Sequence, residues 1–142
     1  MRPIISRVED PIDCFTVRHH VFVDEQKVPV ELERDELDAT AIHLLATASG
    51  KPVGAARIVL KDEIGKIGRV CVLHEMRGTG LGAALIREAL MILRKTPGIT
   101  RAALGAQIDA LGFYEKLGFA AYGDIFDDAR IDHRMMELCF DE

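Results

Sequence analysis

The chain has 142 residues, 49% hydrophobic and 29% charged, with a formal net charge of −5 at pH 7. A single domain over 1–142 buries about two-thirds of its extended surface. The acidic balance argues against nucleic acid, the apolar run around Leu85–Leu93 is broken by Arg87 and Glu88 and cannot span a bilayer, and the opening MRPIISRVED lacks the apolar centre of an export signal.

Cys14, Cys71 and Cys139 lie far apart without a CxxC, and the adjacent His19 and His20 share no face of a helix or strand. Neither a disulfide framework nor a metal site is expected, and the cytoplasm is the expected compartment.

Pro3–Val8 reads as a short edge strand, with Asp10 as N-cap and Pro11 as first residue of a helix to about Val23. The polar segment EQKVPVELERDELD reads as a loop with one short helix, because Pro29 breaks any continuous one. Ile42–Ala48, Pro52–Lys61 and Lys66–Leu73 follow as strands, separated by turns at Ser49-Gly50-Lys51 and Asp62–Gly65. An antiparallel meander is the natural arrangement.

Gly80–Lys95 is the clearest helix, with Leu81, Leu85, Ala89 and Ile92 or Leu93 recurring on one face. A strand Thr100–Ala106, a helix Ile108–Leu117 capped by Gly118, and strands Phe119–Tyr122 and Ile131–Phe140 complete a mixed α/β order.

Between the third strand and the long helix lies VCVLHEMRGTGLGAAL, with glycine at 78, 80 and 82. A Walker loop would need Lys and Ser or Thr after the last glycine, where Ala83 and Ala84 stand. A dinucleotide fingerprint would need GxGxxG after the first strand of a doubly wound domain and an acid after the next strand, and both are missing. The unpaired N–H groups and the dipole of a helix start still favour an anion, and glycine lets it come close.

Arg77-Gly78-Thr79-Gly80-Leu81-Gly82 matches the (R/Q)xxGx(G/A) pattern of the GCN5-related N-acetyltransferases (GNAT), placed as that family requires between a strand and a helix. The downstream block ALGFYEKLGF, Ala110–Phe119, resembles a second motif of the family. Upstream, VRHHVFVDEQKVP and DELDATAIHLLA resemble a bacterial subgroup of largely uncharacterised acetyltransferases, so the likeness covers nearly the whole chain.

The resemblance implies the acyl-CoA N-acyltransferase fold, a central and mostly antiparallel sheet with splayed central strands flanked by helices. It implies acetyl-CoA as co-substrate, without a metal. Arg77, Gly78, Thr79, Gly80, Leu81 and Gly82 would hold the pyrophosphate. The backbone of Val70, Cys71 and Val72 would pair with the pantetheine arm, and an N–H near Val72 would polarise the thioester carbonyl. Gln107 stands where relatives often carry an Asn that bonds the arm. Tyr114 would contact the arm and give the leaving thiolate its proton; its spacing from Ile108 and Leu111 also fits simple packing.

Relatives carry a basic carboxylate at positions that are Gly68 and Ala102 here. Glu25, His133 and Asp38 are the remaining candidates for the base, beside a water chain, and Cys71 is an alternative acyl-carrying nucleophile. The acids of Glu31–Asp38, with Asp124, Asp127 and Asp128, favour a cationic amine acceptor. Arg18, Arg57 and Arg69 could instead anchor a carboxylate or phosphate. The expected activity is direct acetyl transfer in a ternary complex to a primary amine of a small molecule or peptide. A different acyl group and a non-catalytic acyl-CoA-binding module are the alternatives. No nucleic acid or membrane partner is expected, and a homodimer is compatible with this reading.

Overall fold

A computed structural model describes residues 2–140. Its strands are β1 (Ile4–Val8), β2 (Ile42–Ala48), β3 (Lys51–Lys61), β4 (Ile64–Val72), β5 (Arg101–Gln107), β6 (Ala120–Asp128) and β7 (Ile131–Cys139). Its α-helices are α1 (Ile12–Arg18), α2 (Val30–Glu33), α3 (Leu81–Arg94) and α4 (Leu111–Lys116). The strands form one seven-stranded sheet in the order β1-β2-β3-β4-β5-β7-β6. Every pairing is antiparallel except β4 with β5. This is the mixed sheet flanked by helices that the sequence implied.

Helix α3 covers one face of the sheet, burying Leu81, Leu85, Ile86, Ala89, Leu90 and Leu93 against Leu44, Ile58, Ile67 and Leu104. Each large aliphatic side chain taken out of water contributes roughly 1.5–3 kcal/mol, so this stripe fixes the helix to the sheet. On the other face, Cys14, Val17 and Val21 pack on Leu45, Ala55 and Cys71.

Four local expectations shift. The first helix starts at Ile12, where the Asp10 carboxylate accepts the Ile12 N–H at 3.0 Å, one residue later than the Pro11 start. After Arg18 the chain continues as a π-helical stretch over His19–Glu25, in which the Gln26 N–H donates to the Val21 carbonyl at 3.1 Å. The wider turn keeps Val21 in the core and leaves His19 and His20 in solvent. The presumed loop holds α2 and a 3₁₀ turn, Glu36–Ala39, closed by a capping box between Asp35 and Asp38. The sixth strand runs on to Asp128 and pairs with β7 across a two-residue turn.

That turn places Ala129 and Arg130 at φ of +52° and +70°. Both are left-handed, the geometry of a type I′ hairpin, which favours Asn-Gly. A left-handed residue with a Cβ costs roughly 1–2 kcal/mol. Ala129→Asn combined with Arg130→Gly is therefore expected to raise stability by about 1 kcal/mol, or a thermal midpoint gain of roughly 2–4 °C. Thermal unfolding checks it; an unchanged or lowered midpoint would refute the strain argument.

Candidate active site

The parallel contact between β4 and β5 lasts only three residue pairs, from Ile64 with Arg101 to Lys66 with Ala103. The strands then part. The cause lies in β4: Arg57 pairs with Gly68 but Ala55 with Cys71, so β4 spends one more residue than β3 over this step. Arg69 sits in this bulge at φ +50°. A bulge bends and twists its strand, here away from β5, which remains paired with β7 along its whole length. A cleft of about 640 Å³ opens at the carboxyl ends of the two strands. Its walls include Gly68, Val70, Gln107, Tyr114, Phe126 and His133.

Tyr114, on α4, packs edge-on against Phe113 and Phe119, with ring centroids at 5.0 and 6.1 Å. Burial raises its pKa above the ordinary phenol value of 10.0, so the hydroxyl keeps its proton at neutral pH. His133, on β7, is 8% exposed, and its Nδ1 lies 2.7 Å from the Ile131 carbonyl. A carbonyl can only accept, so Nδ1 carries the hydrogen and the neutral ring keeps its lone pair on Nε2. Gln107 closes β5 and donates through Nε2 to the Gln26 side-chain oxygen at 2.9 Å. Sequence reasoning missed Gln26, whose place opposite Gln107 depends on a contact spanning 81 positions.

The other base candidates stand elsewhere. Glu25 is absent from the cleft walls, and its carboxylate is gripped by Arg77 at 2.8 and 2.9 Å. That contact holds its pKa below the ordinary value. Asp38 lies in a cluster of three arginines and three acids. Arg18 is 1% exposed and bonds Glu33 and Asp38; Arg57 bonds Asp35 and Asp38; Arg69 bonds Glu33 and Asp35.

This cluster changes two expectations. The acids Glu33, Asp35 and Asp38 are neutralised rather than free for a cationic acceptor. Arg18, Arg57 and Arg69 are equally committed, so none is a free anchor for a carboxylate or phosphate. What the cluster does is fasten Val30–Ala39 over the bulge, because Arg69, the bulge residue itself, donates to the Glu33 carbonyl at 3.0 Å.

Cys71 is 4% exposed, and burial raises its pKa strongly, so a thiolate nucleophile is disfavoured there. Val70 and Val72 are half-buried beyond the bulge, where β5 no longer pairs with β4. The Val72 carbonyl accepts from Arg77 Nε and Nη2 at 3.2 and 3.1 Å. Arg77 thus braces the turn and offers no free positive charge.

In the glycine turn, Gly78 and Gly80 have φ of +79° and +88°, and a Cβ on either would meet only open space. The turn is therefore bare of side chains where it faces outward. Gly80 is the N-cap of α3 with no side-chain cap, so the first N–H groups of that fourteen-residue helix stay available. Thr79 turns its hydroxyl to the Met76 carbonyl at 2.5 Å. Leu81 is in the core, leaving only its backbone to the turn, and Gly82 lies against Phe113.

A model described as an acetyltransferase (GNAT) domain matches residues 12–140. The chain belongs to the GNAT acetyltransferase family. It is 40% identical over 138 residues to the uncharacterized N-acetyltransferase YjcF of Bacillus subtilis strain 168, covering 96% of this chain and 98% of that one. The solved acyl-CoA N-acyltransferase of Pseudomonas aeruginosa superposes with a TM-score of 0.84 at 26% identity, covering 97% and 99% of the two chains. Escherichia coli ElaA superposes with a TM-score of 0.84 at 26% identity, covering 96% and 98%. Membership of the GNAT family supports acyl transfer as the general chemistry of the chain. Among the described residues no group of three His, Cys, Asp or Glu side chains is arranged to hold a metal, and no helix is long and apolar enough to cross a membrane.

Proposed function

We propose that the chain is an acetyl-CoA-dependent N-acetyltransferase that transfers the acetyl group directly to a primary amine in a ternary complex. The observation that carries this reading is the gap between β4 and β5. An uncapped helix start follows β4, and a protonated tyrosine and an oriented histidine stand on the cleft walls.

The residues present fit coenzyme A. Gly78 to Gly82 and the start of α3 would hold a pyrophosphate by backbone N–H groups, because a Cβ at Gly78 or Gly80 would meet only open space. The unpaired edge of β4 at Val70–Val72 would receive the pantetheine arm, with Gln107 opposite it, and an N–H near Val72 would stabilise the oxyanion. Bound there, acetyl-CoA supplies an acetyl thioester.

The chain's own groups then handle two protons. His133 Nε2 takes the one that the attacking amine loses, with its ring fixed by the Nδ1 contact to Ile131. Tyr114 gives one to the sulfur that leaves. His133 thereby takes the role for which Gly68 and Ala102 have no carboxylate. Val30–Ala39, clamped by the arginine cluster, contributes Leu32, Glu33, Asp35 and Leu37 to the cleft walls.

The test is thiol release from acetyl-CoA with a panel of primary amines. Release is expected to be amine-dependent and, in His133→Gln, about 10²-fold slower. Coenzyme A binding without release from any amine would instead support a non-catalytic acyl-CoA-binding module. Gly80→Ala separates binding from chemistry. A Cβ at φ +88° strains the turn, so coenzyme A should lose most of the stabilisation it gives the parent, roughly 2.7 kcal/mol at a hundredfold excess over Kd. An unchanged ligand-induced thermal shift would remove the turn from the binding site.

A further inference from the structure

We propose that Asp128 and His133 bracket an acceptor subsite for an aliphatic diamine, with the imidazole at the amine that reacts and the carboxylate at the ammonium that does not. The inference rests on acetyl transfer to an amine and names the class of amine.

It starts from the charges on the cleft walls. Glu33, Asp35, Arg57 and Arg69 line the cleft but belong to the neutral cluster. That leaves Lys66, Asp127 and Asp128, none of which makes an ion pair among the described residues. Asp127 pairs across the hairpin with Asp132, on the sheet face opposite Asp128, and its carboxylate accepts the Arg130 N–H at 3.3 Å. Asp128 is the free acid on the cleft face. It pairs with Ile131, and Phe126 pairs with His133, so carboxylate and imidazole share that face two residues apart. Two residues of strand span roughly 7 Å.

Lys66 does not neutralise Asp128. It pairs with Ala103 at the closed end of the cleft, whereas His133 pairs with Gln107 at the open end, four residues further along β5 and roughly 13 Å away.

The histidine is an independent sign of a ligand. It is more than nine-tenths buried and lines the cleft, its ring lies tilted at 31° and 5.8 Å from Phe126, and Nδ1 is held by the Ile131 carbonyl while Nε2 makes no hydrogen bond among the described residues. The same cleft also has apolar walls. Phe126 and Ile131 lie on the face that carries Asp128 and His133, and Leu32 and Leu37, 52% and 42% exposed, also line the cleft. Large aliphatic side chains left in solvent on a cleft wall suit methylene groups. A diamine carrying one proton presents a neutral nitrogen to Nε2, methylenes to the leucines and an ammonium to Asp128. The lone pair of the neutral nitrogen forms the new bond to the acyl carbon as the carbon–sulfur bond breaks, and His133 takes the displaced proton.

Three acceptors of similar length separate the possibilities: putrescine, n-butylamine and γ-aminobutyrate, at saturating acetyl-CoA. The kcat/KM of putrescine is expected to exceed that of n-butylamine by at least about fivefold, with γ-aminobutyrate lowest. In Asp128→Asn the putrescine preference collapses toward unity, and in Asp128→Lys γ-aminobutyrate overtakes putrescine; unchanged thermal midpoints verify the fold. Equal use of n-butylamine, a preference for γ-aminobutyrate in the parent chain, or a putrescine preference that survives Asp128→Asn overturns the diamine subsite while acetyl transfer stands. No thiol release from any of the three or from a wider amine panel overturns acetyl transfer itself, and the subsite with it.

Discussion

Tyr114→Phe is expected to lower kcat by about 10²-fold or more while leaving the fold intact. The ring that packs on Phe113 and Phe119 is retained, and only the hydroxyl is removed. Burial raises the pKa of that hydroxyl, so it stays protonated across the neutral range and can serve a leaving thiolate. The sign of the pH dependence follows: activity that needs protonated Tyr114 falls only above its raised pKa, and Tyr114→Phe abolishes that alkaline limb. Steady-state thiol release and a thermal melt measure both effects. A kcat within about twofold of the parent would reduce Tyr114 to a packing residue, the other possibility its helical spacing left open.

Arg18→Ala is expected to cost about 3–5 kcal/mol, because it leaves the buried carboxylates Glu33 and Asp38 without their main counter-charge. Against a total stability of roughly 5–15 kcal/mol, such a loss brings the chain near its folding limit. The cost depends on pH in a predictable direction. Burial alone would raise the Asp38 pKa, but hydrogen bonds from Arg18, the Asp35 backbone and Arg57 outweigh it and hold the carboxyl well below its ordinary 3.8. The unfolded chain therefore takes up this proton first. The stability Asp38 contributes is complete above pH 3.8 and is lost as pH falls from there through the lower folded value.

The deficit of Arg18→Ala should accordingly be largest near neutrality and shrink below about pH 3.8, where a protonated Asp38 no longer needs a partner. Urea unfolding at both pH values reads this. A deficit independent of pH would mean that the variant loses packing rather than charge compensation. Because the cluster also ties the bulge to Val30–Ala39, the variant is expected to weaken the acceptor side of the cleft at the same time.

Much of this molecule was legible in residue order. Leu81, Leu85 and Ala89 announce α3 by their spacing, since a helix buries one stripe and the stripe repeats every three or four residues. Turn residues between apolar runs mark the hairpins β2–β3 and β3–β4 in the same way, because turn chemistry is local. The glycines at 78 and 80 work at their own backbone angles, so they could be read without knowing what surrounds them. For the same reason the family was recognisable from Arg77–Gly82 and Ala110–Phe119 alone.

What could not be read was who faces whom. Glu25 and His133 were equal candidates along the chain. Arg77 grips Glu25 outside the cleft, while the register of β7 against β5 sets His133 opposite Gln107. Arg18, Arg57 and Arg69 looked like anchors for a ligand and the acids of Glu31–Asp38 like a cationic pocket, yet residues 15 to 36 positions apart fold onto each other and largely cancel. The bulge that opens the cleft was equally silent, since a register shift belongs to two strands at once. The sequence by itself determined most of the secondary structure, the glycine turn before α3 and the family, all of which depend on near neighbours. Only the tertiary structure decided which charges are spent on one another and which stay unpaired among the described residues, because ion pairing is settled by distance in space.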